Sequence, residues 1–294
     1  MTWIGISVSA TTEELVLTMN AKFMQKLLDT VRELSGLRSI PMRRLRSLAG
    51  GLSWLAGLIR WIRPFLAPLW GAIAVAAAWD GPPERAAIGR NQVQGALSWI
   101  LTFLQGEMGP LMRRIGVPPR MVQRITQIIC DACPWGMGAV LAVDGTPIQW
   151  FGIPISDLDL EILGVARGDC RGQAALEALC ICVALREWAH EWQDETSALL
   201  TRSDAIAALG ALNRGASGNP TMNLICKEVA LDLAGGAYDL EILGHLPAQW
   251  NTTADALSRL HGPPEERKDI PSELAGARRI WPATRTRAWR RTLD

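Results

Sequence analysis

Between Ala174 and Leu185 the chain is apolar on every face a helix would have, apart from one charged residue, Glu177. A helix at a protein surface keeps a polar face, so a segment without one belongs inside a layered domain. Its single carboxylate is then a second constraint. An unpaired buried carboxylate is costly, so Glu177 requires a cation, a hydrogen-bond donor or a proton.

The sequence around this segment reads as an α/β domain. Arg124 to Asp131 is rich in β-formers and Gly136 to Val143 is a second apolar run. Asp144-Gly145 is a hairpin signal leading into a third strand, Thr146 to Phe151. The helix holding Glu177 is expected from about Gly172 to Trp192, followed by a short buried strand, Ala198 to Arg202. Helical segments follow at Asp204 to Leu212 and Pro220 to Leu233, then an alternating strand, Tyr238 to Leu246. A helix at Asn251 to Leu260 closes the pattern, with Asn251 or Thr252 as its cap. This order gives a mixed five-stranded sheet flanked by helices.

Asp131 ends the first strand and Asp204 follows the fourth. A long crossover helix lets these two strands lie parallel, which brings their C-terminal ends and both aspartates together. Three converging carboxylates repel one another, and a divalent cation removes the repulsion. All-oxygen ligation suits Mg²⁺ or Mn²⁺. Taken singly, Asp131 and Asp204 also fit turn or cap positions, and Glu177 a solvent-facing one; the set of three favours the metal.

Gly116-Val117-Pro118-Pro119 and Gly262-Pro263-Pro264 are the main breaks. They divide the chain into a mainly helical region, 1–117, the α/β domain, 118–262, and a basic tail, 263–294, that reads as flexible. In the first region Ala21 to Leu34 and Leu45 to Ile62 carry apolar residues at helical spacing. Trp54, Trp61, Trp70 and Trp79 recur there and read as core sooner than as a base-stacking platform. The apolar stretch Pro64 to Trp79 falls short of the ~20 residues needed to span a bilayer, so no membrane span is expected. No secretory leader is expected either. Net charge is +1, which by itself gives no argument for a polyanionic partner. Its distribution does: six arginines and no acid lie between Arg38 and Arg63, and six arginines with one acid run from Arg278 to the C-terminus. Each cluster could neutralise phosphates, or be a solvated face and a loose tail. The six cysteines lie mostly in apolar runs, which fits a reduced, intracellular protein with buried thiols. Cys130 and Cys133 form a lone CxxC without the further ligands zinc would need.

The segment Asp131-Ala-Cys-Pro-Trp-Gly-Met-Gly-Ala-Val-Leu resembles the first two strands of ribonuclease H. Glu177 sits where that family has its helix glutamate, and Ser203-Asp204 resembles its Ser-Asp after the fourth strand. His245-Leu-Pro-Ala-Gln-Trp-Asn-Thr-Thr-Ala-Asp255-Ala-Leu-Ser-Arg259 resembles the retrotransposon form, H-x-P-G-x-x-N-x-x-A-D-x-L-S-R. The resemblance covers about residues 122–260. Ala248 replaces the usual Gly, and Cys133 the more usual Ser or Thr. The resemblance implies a ribonuclease H-like fold and hydrolysis of the RNA strand of RNA–DNA hybrids with two Mg²⁺ ions. Asp131 would bridge the ions, Glu177 and Asp204 would hold one, and Asp255 the other. His245 would assist proton transfer or product release. Trp3-Ile4-Gly5 and Leu45-Arg-Ser-Leu-Ala-Gly-Gly-Leu-Ser53 resemble the thumb and connection region of a retroelement reverse transcriptase. That implies an upstream polymerase domain as partner, with Arg43, Arg44 and Arg46 gripping the hybrid's phosphates. The polymerase motif Y-x-D-D occurs nowhere in the chain, so polymerisation by it is not expected. Two other readings stay open. One is a nucleic-acid-binding remnant of a retroelement without activity. The other is a transposase or integrase of the same fold, which usually carries a different acidic triad and lacks the Asn-x-x-Ala-Asp-x-Leu-Ser-Arg stretch.

Overall fold

A computed structural model describes residues 2–3, 5–12, 14–82, 85–116, 124–193, 197–236 and 243–282. The chain forms two compact units, Met1–Pro118 and Pro119–Asp294.

The first unit has the helices expected for 1–117 and, beside them, strands that were not expected. Strands β1 (Thr2–Trp3), β2 (Ile6–Ala10) and β3 (Glu14–Met19) open it, followed by helix α1 (Ala21–Ser35), strand β4 (Ser39–Pro41) and helices α2 (Met42–Leu58) and α3 (Arg63–Ala77). Strand β5 (Ala87–Gly89), helix α4 (Gln94–Leu104) and strand β6 (Met112–Gly116) complete it. An antiparallel sheet runs in the order β1-β2-β3-β6, and β4 pairs with β5. The sheet escapes a local reading because β3 finds its partner at the far end of the unit, Leu15 opposite Ile115, and β6 carries Arg113 and Arg114. The apolar stretch after Arg63 folds as a helix packed through Phe65, Leu66, Leu69 and Ile73, whereas Trp70 and Trp79, like Trp54, are exposed and not the core residues expected. Phe65 lies 5.8 Å from Trp99 and 5.1 Å from Phe103, between ring centroids. Among the described residues no helix is long and apolar enough to cross a membrane.

In the second unit strands β7 (Arg124–Ala132), β8 (Gly136–Val143) and β9 (Thr146–Pro154) are followed by helices α5 (Asp157–Leu163) and α6 (Gln173–Glu187). Strand β10 (Ser197–Ser203), helices α7 (Ile206–Arg214) and α8 (Pro220–Ala234), strand β11 (Leu243–His245), helix α9 (Thr252–Ser258) and strand β12 (Arg278–Arg279) complete it. One mixed sheet results, in the order β11-β10-β7-β8-β9-β12. β7, β8 and β9 are antiparallel neighbours, while β10 runs parallel to both β7 and β11. Asp144 and Gly145 take φ of 48° and 83° at the β8–β9 turn, as a two-residue hairpin requires. Residues 238–242 of the expected fifth strand lie outside the described residues.

The sheet has six strands, where five were expected, and the sixth comes from the segment expected to be loose. β12 pairs with β9, and the Ile280 N–H donates to the Trp150 carbonyl at 2.8 Å. Leu274 is buried against Val140, Trp150 and Leu257. One buried leucine and a two-residue edge pairing leave no periodic pattern, so the composition of 263–294 pointed to a tail. Residues 283–294 of the expected tail lie outside the described residues.

The period-2 pleat of β8 and β9 gives the sheet two distinct faces. Met137, Ala139, Leu141, Phe151 and Ile153 enter the large core shared with α6, α7 and α8. Val140 and Trp150 face the other way, with Leu257 of α9. On that side the strands carry glycine. A Cβ on Gly138 would sit 2.5 Å from the Ala254 carbonyl oxygen, and one on Gly136 2.4 Å from that of Ser258. Side chains there would push α9 off the sheet, so the glycines let the helix rest directly on the strands.

Candidate metal centre

Cys130 and Ala132 point from β7 into the α6 core, so Asp131 between them projects toward α9. Arg202 of β10 pairs with Ile129 of β7, and Asp204 and Asp131 each lie two residues further on. Glu177 stands one turn into α6 and reaches the same strand ends. Ligand oxygens of Asp131, Glu177 and Asp204 all lie within 4.8 Å of one another. The structure thus brings together three of the four carboxylates expected from the sequence.

Neutral donors orient Glu177. The Ala132 N–H donates to Oε2 at 3.0 Å, and the Gln173 amide donates to Oε1 at 2.8 Å. The same amide also donates to the Ala132 carbonyl. Burial, with the neighbouring Asp131 charge adding to it, pushes the Glu177 carboxyl up to about 9. Burial also pushes Asp131 up to about 7; a hydrogen bond with Ser258 opposes this and the Asp204 and Asp255 charges add to it. Among the described residues no lysine, arginine or histidine forms an ion pair with any of the three. A largely buried, all-oxygen donor set of this kind, without a direct ion-pair partner among the described residues, fits a hard divalent cation.

Asp255 is differently placed. It lies in the first turn of α9, where Arg259 Nε donates to Oδ1 at 2.7 Å and the Lys268 ammonium binds Oδ2. Partial burial opposes the shift, but the hydrogen bonds from Lys268 and Arg259 hold its carboxyl below the ordinary value. His245 is exposed at the end of β11, in register with Ser203. The expected phosphate-gripping arginines lie on α2, in the other unit. Arg43 and Arg46 are exposed, whereas Arg44 already makes a two-pronged pair with Glu33.

Two residues of the centre were not singled out from the sequence. Gln173 precedes Glu177 by four, the spacing at which helix side chains meet. Asn251 was read as a cap; its amide instead enters the centre. Cys133 is buried and its thiol donates to the Ser258 carbonyl at 3.1 Å, in line with a structural CxxC.

No protein-family model matches the chain, and no curated protein does. Among solved structures it is similar to RNase H1 from the halophilic archaeon Halobacterium salinarum NRC-1. That likeness has 19% identity and a TM-score of 0.35, covering 47% of this chain and 96% of that one. It is also similar to a foamy viral protease-reverse transcriptase dRH in complex with double-stranded DNA. There identity is 13% and the TM-score 0.28, over 85% of this chain and 38% of that one. At these TM-scores neither likeness bears weight on function.

Proposed function

We propose that the chain hydrolyses the RNA strand of RNA–DNA hybrids at the Asp131–Glu177–Asp204 centre. The observation that carries this is the convergence of three carboxylates from β7, α6 and the end of β10, with ligand oxygens within 4.8 Å of one another and most of the set buried. Two divalent ions, when bound, would supply an activated water and neutralise charge on the leaving oxygen. Asp131, Asp204 and Glu177, the last aimed by the Ala132 N–H and Gln173, would hold them, with Asp255 as a further ligand. His245, exposed at the same sheet end, is free to move a proton at the leaving group. Selection of RNA would come from 2′-hydroxyl contacts in the hybrid's shallow minor groove, with Arg43 and Arg46 available for phosphates. The sequence resemblances of residues 1–80 and 122–260 support reading the chain as part of a retroelement reverse transcriptase whose polymerase motif is carried elsewhere.

The purified chain, given labelled hybrid and Mg²⁺, should cut the RNA strand and leave the DNA strand whole. Asp131→Asn should abolish cutting, by more than about a thousandfold. Equal cutting by the variant, or none by the wild type, removes the proposal.

A further inference from the structure

Asn251 stands at the start of α9, where an Asn ordinarily caps the helix through its side chain. Here the side chain makes no bond to the first-turn N–H groups. It turns inward and is 1% exposed. Its Nδ2 donates to the Cys130 carbonyl oxygen at 3.1 Å and to Asp204 Oδ1 at 3.3 Å, and lies 3.5 Å from Asp131 Oδ1. One amide therefore ties the end of β7 to the aspartate that follows β10. The other end of the same amide, Oδ1, is a buried acceptor with no donor.

Both features run against stability. The helix forgoes its cap, and a buried carbonyl oxygen goes without the hydrogen bond that native proteins nearly always supply. Local rules broken together, beside a carboxylate cluster, point to function rather than packing. The chemistry of the group fits that place. A lysine or arginine at this position would cancel the charge that draws a cation in. A neutral amide orders the two carboxylates and leaves their charge intact.

We infer that Asn251 is a positioning residue of the metal centre. Its N–H groups hold Asp131 and Asp204 at ligand spacing, and its Oδ1 is kept for a water carried by a hydrated cation. This deepens the proposed site and rests on the metal-centre reading, independently of which nucleic acid is cut.

The test separates positioning from capping. Asn251→Ser supplies a good cap and removes the amide. The full-length variant should melt at or above the wild-type temperature. Its affinity for Mn²⁺, titrated calorimetrically without nucleic acid, should fall about tenfold or more. With hybrid, kcat should fall at constant KM. Asn251→Gln, which keeps an amide one methylene further out, should fall between the two and serves if the Ser variant does not fold. Unchanged Mn²⁺ affinity in both variants, or a loss that merely tracks a lower melting temperature, overturns the inference. So does a wild type that binds no Mn²⁺. A wild type that binds Mn²⁺ but leaves hybrids intact sinks the hydrolase reading and leaves this one standing.

Discussion

Glu177 and Asp255 are both carboxylates of one site region, and their surroundings are opposite. Glu177 is buried among apolar side chains, receives only neutral donors, and its carboxyl is pushed up to about 9. Asp255 is only partly exposed, receives Arg259 and Lys268, and stays below the ordinary carboxylate value. Glu177 was expected as a ligand from its place as the one charge in an apolar helix, Asp255 mostly from the motif around it. The structure separates them by electrostatics: among the described residues the Asp131–Glu177–Asp204 cluster has no ion-pair partner and only the more distant Arg259 charge acts on Asp131, whereas Asp255 is paired directly with Arg259 and Lys268. Burial without a cation is the stronger argument for a ligand site, because surface ion pairs such as those of Asp255 are worth only ~0–1 kcal/mol each.

The largest expected effect breaks the comparison at Glu177. In the metal-free chain near pH 6 its carboxyl is already neutral, so the isosteric Glu177→Gln should leave the melting temperature within about 2 °C of wild type. A cation, by contrast, requires the charged form. Hybrid cleavage should therefore drop by at least about a hundredfold, some 3 kcal/mol of transition-state stabilisation. A stability assay and a cleavage assay on one preparation test both halves. A variant that is strongly destabilised at pH 6, or still fully active, would show that Glu177 is a structural residue.

The two regions also predict opposite pH slopes. Asp131 and Glu177 have folded-state values above their unfolded ones, so the native state holds more protons than the unfolded chain. Their contribution to stability is full below about pH 4 and is lost as pH rises through about 7 and about 9. For Asp131 alone the loss is at most about 4 kcal/mol. Asp255 is depressed, so its small contribution is present above the ordinary carboxylate range and lost on acidification. Metal-free protein should thus melt several degrees lower at pH 8.5 than at pH 6, and millimolar Mg²⁺ should flatten the profile. A profile that rises over that interval without metal would contradict the buried, uncompensated state of the cluster.

Sequence reasoning named both carboxylates of this comparison but not the cations paired with Asp255, for a physical reason. Glu177 announces itself because a lone charge inside an all-apolar helix has no benign placement. Asp131 and Asp204 follow from strand ends whose parallel pairing was legible from the length of the crossover. Lys268 carries no such signal. It lies in an irregular segment whose docking depends on Leu274 meeting Val140 and Trp150, contacts distant in sequence. The β3–β6 pairing of the first unit was missed for the same reason, since those strands lie far apart in the chain, although the β1–β2–β3 pairings are local. Asn251 shows a different limit. Its residue type fits a helix cap, and only the absence of a cap bond in the fold reveals that the side chain is used elsewhere.

The smallest expected effect sharpens the comparison at Asp255. If this carboxylate serves a second cation, Lys268 occupies that position in the metal-free chain and must leave first. Lys268 is half exposed and Arg259 remains on the other oxygen, so displacing the ammonium costs little. Lys268→Met should change stability by less than about 1 kcal/mol. In a Mn²⁺ titration it should leave the first binding step alone and tighten the second by about three- to fivefold, the most that one exposed ion pair can contribute. Equal tightening of both steps would mean that Lys268 acts through the general field of the site. No change in either would mean that Asp255 keeps its cations throughout and that the centre consists of Asp131, Glu177 and Asp204 alone.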